Sequence, residues 1–216
     1  MDAAGLRYRI REPEGDPLGA LVLMHGRGAD ELDLEPLLSV LDPDARLVGI
    51  LPRGPLTLPP GGAHWYAVQQ VGYPDPDTFF TTFERTSTWL DALLAELDVP
   101  PERTVLGGFS QGAVMSYALA LAAFRPKPAA ILAMSGFIPR VEGFELDLAS
   151  RAGLPVSISH GTTDPVIGAA WGRDARDRLT AAGLAVRYHE DPVDHTITPQ
   201  AIAQARDVLE AALPPV

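Results

Sequence analysis

The pentapeptide Gly108-Phe109-Ser110-Gln111-Gly112 has the G-x-S-x-G form of a nucleophile elbow, a sharp turn that presents a serine between a strand and a helix. The flanking chain supplies that setting, because the apolar run Thr104–Phe109 reads as a strand and Ser110–Phe124 as a helix. Glycine suits the flanks of such a turn: a Cβ there would strike the neighbouring strand or helix. The hydroxyl then sits at the top of a sheet and at the positive end of a helix. A serine hydroxyl is a weak nucleophile at neutral pH and needs a base. Of the five histidines, His195 is the best placed, since it follows the strand Val186–His189 and precedes the helix opening at Thr198-Pro199. His25 and His160 each precede a glycine at a strand end and read as loop-shaping residues. His64 comes before the serine, and His189 lies within a strand.

A histidine base needs a carboxylate to fix its tautomer and to stabilise the imidazolium. In chain order that acid should stand between the serine and the histidine. Asp164 fits, following the strand Val156–Ser159, although an aspartate before Pro165 is also an ordinary helix cap. Glu190, Asp191 and Asp194 are the rival acids. Asp194 is adjacent to His195, so its side chain should point away from the imidazole. Two backbone N–H donors are needed for the oxyanion. One is that of Gln111, after the serine; the other is that of Arg27, in the His25-Gly26-Arg27-Gly28 turn that follows the strand Leu21–Met24.

These residues must be held by alternating strands and helices. Further strands are expected at Leu47–Leu51 and Ala129–Met134, with Leu6–Arg11 as an edge strand. A long helix capped by Asp77 carries Phe79, Phe83, Leu90, Leu93 and Leu97 on one face. Ser110–Phe124 is apolar nearly all round and belongs in the interior, stopped by Pro126 and Pro128. Asp164-Pro165 opens another helix, closed by Gly183. The last begins at Thr198-Pro199, with Ile202, Ala205, Leu209 and Ala212 on one face. The pattern is that of an α/β chain: one domain over residues 1–216, a mainly parallel central sheet, helices on both faces, and the site at the C-terminal ends of the strands. The long Pro- and Gly-rich stretch Pro52–Pro76 holds His64, Trp65 and Tyr66. It should form one wall of the site.

Composition sets limits. The net charge of −11 repels phosphate backbones and anionic membrane surfaces, so no nucleic-acid partner is expected. There is no cysteine, which removes disulfides and thiol nucleophiles. No phosphate-binding glycine motif, zinc motif or calcium loop is present, so neither metal nor cofactor is expected. Without a leader-like N-terminus or a membrane-length apolar run, no integral membrane association and a cytoplasmic location are expected.

Seven blocks taken together carry a resemblance. They are Leu23-Met24-His25-Gly26-Arg27-Gly28, Pro52-Arg53-Gly54-Pro55, Trp65-Tyr66, Gly108–Gly112, Ser135-Gly136-Phe137, His160-Gly161-Thr162-Thr163-Asp164-Pro165-Val166 and His195-Thr196-Ile197. In order and spacing the chain resembles, over about residues 18–212, the small carboxylesterase, lysophospholipase and acyl-protein thioesterase family of the α/β-hydrolase superfold. The resemblance implies that fold without a large lid domain, a Ser110–Asp164–His195 triad, an oxyanion hole from Arg27 and Gln111, and hydrolysis of small carboxylic esters or thioesters without a cofactor. It allows a homodimer without pointing to an interface. The chain departs from the family pattern at Asp194, where members usually carry glycine, and at Arg27, where many carry an aliphatic residue. Both add charge near the site and weigh against a long, purely apolar acyl chain. Leu56, Leu58, Trp65, Tyr66, Phe137 and Ile138 are the expected substrate-contacting wall. Short to medium acyl esters are therefore expected, with lysophospholipids, thioesters or peptides as rivals on the same machinery, and a non-catalytic binding module as the rival of another class.

Overall fold

A computed structural model describes residues 5–214; the ends of the expected 1–216 domain, residues 1–4 and 215–216, lie outside the described residues. The first half of the chain forms β1 (Tyr8–Arg11), β2 (Ala20–Met24), α1 (Glu35–Leu41), β3 (Val48–Pro52), β4 (Leu56–Leu58), β5 (Gly62–His64), β6 (Val68–Gln70), β7 (Tyr73–Pro74) and α2 (Pro76–Glu96). The second half forms β8 (Thr104–Phe109), α3 (Gln111–Leu121), β9 (Ala130–Met134), β10 (Pro155–Gly161), α4 (Ala170–Ala181), β11 (Ala185–Asp191) and α5 (Pro199–Ala212). Seven strands make one sheet in the order β1-β3-β2-β8-β9-β10-β11. β1 runs antiparallel to β3, and every other pairing is parallel.

Side chains alternate across this sheet and divide the core in two. Leu21, Leu23, Val105 and Leu132 face α1 and α5, where they meet Leu38, Leu41, Val208 and Leu209. Val22, Met24, Ile50, Leu106 and Ile131 face the opposite layer, where they pack with Phe79, Trp89, Val114 and Leu179 of α2, α3 and α4. Parallel strands covered on both faces read as continuous apolar runs, and β2, β3 and β9 are buried at every residue.

Several boundaries differ from the sequence-based expectation. The cap of α2 is Asp75, which accepts from the Thr78 N–H at 3.0 Å, and not Asp77; Pro76 at the first helical position starts the helix two residues earlier. Asp164-Pro165 opens no helix. The Asp164 carboxylate folds its own turn, and α4 begins only at Ala170. α3 ends at Leu121, short of Phe124, because Ala123 turns its N–H to Glu145. α1 is an additional helix, with Leu34, Leu37, Leu38 and Leu41 buried at helical spacing. Pro52–Pro76 is not one loop but two small hairpins, β4–β5 and β6–β7.

The turn from β8 into α3 is sterically determined. Ser110 has φ 57° and ψ −121°, a conformation that a non-glycine residue adopts only under constraint. A Cβ on Gly112 would lie 1.8 Å from the Met24 carbonyl oxygen, and one on Gly108 would lie 2.6 Å from the same atom. β2 and the start of α3 can touch only because neither residue has a side chain. Replacing Gly112 by alanine must therefore push backbone from backbone. The expected loss in urea unfolding is about 3 kcal/mol or more. Gly61→Ala, where an added Cβ meets nothing within 4 Å, should stay within about 0.5 kcal/mol of the parent. Equal effects of the two substitutions would contradict this account.

Candidate active site

Three loops at the C-terminal ends of β8, β10 and β11 bring Ser110, Asp164 and His195 together. His195 Nε2 lies 2.9 Å from Ser110 Oγ, and Nδ1 lies 2.6 Å from Asp164 Oδ2. An ionised carboxylate only accepts, so Nδ1 carries the proton and Nε2 is free to accept from the serine hydroxyl. Asp164 Oδ1 accepts from the Val166 and Ile167 N–H groups, each at 2.8 Å. The Asp164 side chain is fully buried and that of His195 is 16% exposed. The two loops meet through Thr162 N–H to Asp191 O and Thr163 N–H to Val193 O. Gly161 allows this, since a Cβ there would sit 2.2 Å from the Asp194 carbonyl oxygen. The rival acids are engaged elsewhere or exposed. Glu190 pairs with Arg173 at 2.7 Å, Asp191 with His189 at 2.9 Å and with the Thr198 hydroxyl, and Asp194 faces solvent. Phe109, which carried no role in the sequence reading, packs its ring 4.6 Å from that of His195.

The backbone N–H groups of Arg27 and Gln111 have no acceptor among the described residues. Their positions are fixed by side chains behind them. His25 Nδ1–H donates to Gly26 O at 2.7 Å, and Nε2 accepts from Gly54 N–H at 2.9 Å. Trp65 Nε1–H donates to His25 O at 2.9 Å. The Gln111 amide clamps the next segment: Oε1 accepts from Trp65 N–H at 3.1 Å and Nε2 donates to Tyr66 O at 3.0 Å. The turn after β2, the Trp65-Tyr66 segment and the elbow thus form one hydrogen-bonded unit.

A cavity of about 340 Å³ opens beside Ser110. Of the expected wall, Tyr66 and Phe137 line it, together with Arg27 and Gln111. Trp65, Ile138, Leu56 and Leu58 are not among its lining residues. Trp65 and Ile138 are buried in the core, Trp65 against the His25 ring, and Leu58 packs toward Gly28 on the β4–β5 hairpin. The remaining lining residues are Val68, Gln70, Val71, Val166 and Ile167, which the sequence reading missed. Their signal was position, since they directly follow Trp65-Tyr66 and Asp164-Pro165. Among the described residues no three His, Asp or Glu side chains converge as a metal site, and no helix is long and apolar enough to cross a membrane.

Burial pushes the Asp164 carboxyl up, but the bonds from His195, Ile167 N–H and Val166 N–H outweigh it and hold the group below its ordinary 3.8. Burial lowers His25 and His160 below the ordinary histidine value of 6.5. His160 Nε2–H donates to Ile167 O at 2.6 Å, while its Nδ1 has no partner among the described residues and faces Gly172. Both imidazoles are therefore neutral in the folded protein near neutral pH. Below about pH 6.5 the unfolded chain binds protons at these two sites that the folded chain refuses, so stability is full above that pH and falls as pH is lowered. Asp164 adds a second loss only below its ordinary value. Urea midpoints should drop steadily from pH 7 to pH 5, and His160→Gln should flatten that slope whatever it does to the midpoint at pH 7. An unchanged slope in both His160→Gln and His25→Asn would contradict the assignment.

The model of the phospholipase/carboxylesterase family matches residues 7–213. An acyl-protein thioesterase 1 from Debaryomyces hansenii is 29% identical over 180 residues, covering 79% of this chain and 75% of that protein. The mouse lysophospholipase-like protein 1 is 23% identical, covering 95% of this chain and 91% of that one. The crystal structure of a Bacillus cereus carboxylesterase superposes with a TM-score of 0.82 at 24% identity, covering 96% of this chain and 94% of that chain. The seven-stranded, mostly parallel sheet with its flanking helices is accordingly the α/β-hydrolase fold. The chain belongs to the phospholipase/carboxylesterase family and is an ester-hydrolysing enzyme of that fold.

Proposed function

We propose that the protein hydrolyses carboxylic esters of short to medium acyl chain through an acyl-enzyme on Ser110. The observation that carries this reading is the continuous hydrogen-bond chain from Ser110 Oγ through His195 to the buried Asp164. As Oγ attacks the ester carbonyl, its proton passes to His195 Nε2, and the imidazolium formed is stabilised by Asp164. The carbonyl oxygen becomes an oxyanion held by the N–H groups of Arg27 and Gln111, in a site where such donors contribute about 3–4 kcal/mol each. Collapse of the tetrahedral intermediate breaks the bond to the leaving oxygen, which takes the proton from His195. Water, deprotonated by the same imidazole, then attacks the acyl-enzyme and releases the acid and Ser110.

The cavity volume supports the chain-length reading, because about 340 Å³ lies at the small end of ligand pockets. The acyl-protein thioesterase relatives favour a second reading, thioester cleavage by the same steps with a thiolate as the leaving group.

The test is kcat/KM for acetyl, butyryl, octanoyl and palmitoyl esters, repeated on the best of them with carboxylate variants. Butyryl or octanoyl should exceed palmitoyl. Asp164→Asn, which leaves His195 in the wrong tautomer, should lose about 10⁴-fold, while Asp191→Asn and Asp194→Asn retain activity within about tenfold. Near-normal turnover by Asp164→Asn, or a steady rise to palmitoyl, would contradict the proposal.

A further inference from the structure

The cavity beside Ser110 is apolar along Tyr66, Val71, Phe137 and Ile167, yet two residues with exposed polar side chains, Arg27 and Gln70, are also among those lining it. Neither side chain has an ion pair or hydrogen bond among the described residues. Most of the other arginines are engaged. Arg53 pairs with Glu31, Arg140 with Asp174 and Arg173 with Glu190. The neighbouring amides are also used, Gln69 on Asp75 and Gln111 on Trp65 and Tyr66. In a protein of net charge −11, a guanidinium has acids to choose from, but the exposed Arg27 pairs with none among the described residues and belongs to the lining of the cavity beside Ser110.

The site also has a direction. A second hollow, of about 380 Å³, shares His195 with the triad and is lined also by Phe109, Ile197, Leu37 and the acidic Asp33, without Ser110, Arg27 or Gln111. His195 must deliver a proton to the leaving oxygen, so the leaving group lies toward that second hollow. The acyl group then extends into the cavity beside Ser110, where Arg27 and Gln70 are the lining residues with exposed polar side chains.

We infer that Arg27, assisted by Gln70, receives a carboxylate at the distal end of the acyl group, so that the favoured substrates are half-esters of short dicarboxylic acids. This rests on the reading of Ser110 as the nucleophile. The chemistry is suited to it: a guanidinium offers a planar fork to a carboxylate, and the amide adds a further donor. The apolar middle of the cavity accepts the methylenes between the two carboxyl ends. Screening over about 8 Å at physiological salt weakens the repulsion that the chain's net negative charge exerts on an anionic substrate.

The experiment compares kcat/KM, by proton release, for monoethyl adipate, ethyl hexanoate and the hexanoyl ester of glycolate. These carry the charge on the acyl end, nowhere, and on the leaving side, respectively. The parent enzyme should prefer monoethyl adipate. In Arg27→Leu the adipate-to-hexanoate ratio should fall by about tenfold or more, with Arg27→Lys intermediate. The ratio is read within each variant, so a general change in turnover does not affect it. Raising the salt should shrink the parent ratio toward that of Arg27→Leu. A ratio unmoved by Arg27→Leu overturns the inference and leaves the esterase reading standing, as does a preference for the glycolate ester that vanishes in that variant. If the parent turns over none of the three esters faster than Ser110→Ala, both readings fall.

Discussion

Among the described residues the Asp164 carboxylate has no permanently charged cation beside it, and its two oxygens face different demands. Oδ1 accepts the Val166 and Ile167 N–H groups of its own turn, while Oδ2 accepts the His195 imidazole. A buried carboxylate is tolerated only when its lone pairs are satisfied, so this turn cannot relax without stranding a charge. That requirement accounts for the neighbourhood. His160 ties down the Ile167 carbonyl, Gly172 makes room for His160, and Gly161 lets the His195 loop press against the strand end. The imidazole is thus held from one side by a rigid acceptor and meets Ser110 on the other.

The serine side is governed by sterics. Ser110 stays at positive φ because β8 and α3 are locked against β2, with glycine at both contact points. Parallel strands buried on both faces make that lock stiff. The polar links among His25, Trp65 and Gln111 extend it to the turn after β2, so that, on the proposed reading, the N–H groups of Arg27 and Gln111 are organised before any substrate arrives. Such preorganisation is what makes donors effective toward a developing oxyanion.

Much of this was legible in the sequence because the strands are short apolar runs and the special positions are glycines. The runs around Leu21–Met24, Thr104–Phe109 and Ala129–Met134 lie where the strands are. The order serine, aspartate, histidine places Ser110, Asp164 and His195 on the loops that end β8, β10 and β11, and the structure brings them within hydrogen-bonding distance. Local chemistry misled where one residue type serves two purposes. Asp164-Pro165 has the look of a helix cap, but its carboxylate folds an Asx-type turn and is shared with His195, which delays α4 to Ala170. The wall was least legible. Trp65 reads as a substrate contact because it is a large aromatic in a Pro-rich stretch, yet it fills the core beneath His25. Val68, Gln70 and Val71 reach the cavity only because the stretch folds into hairpins, a register that no short-range pattern fixed.

The central claim is that Ser110 is activated by this hydrogen-bond chain and faces a working oxyanion site. Fluorophosphonate labelling of the folded protein, with the modified residue mapped by mass spectrometry, tests it without knowledge of the substrate. The account predicts a single adduct at Ser110, abolished in Ser110→Ala and much slower in His195→Ala. An adduct at another residue, equal labelling of Ser110→Ala, or folded protein that does not label at all would contradict it.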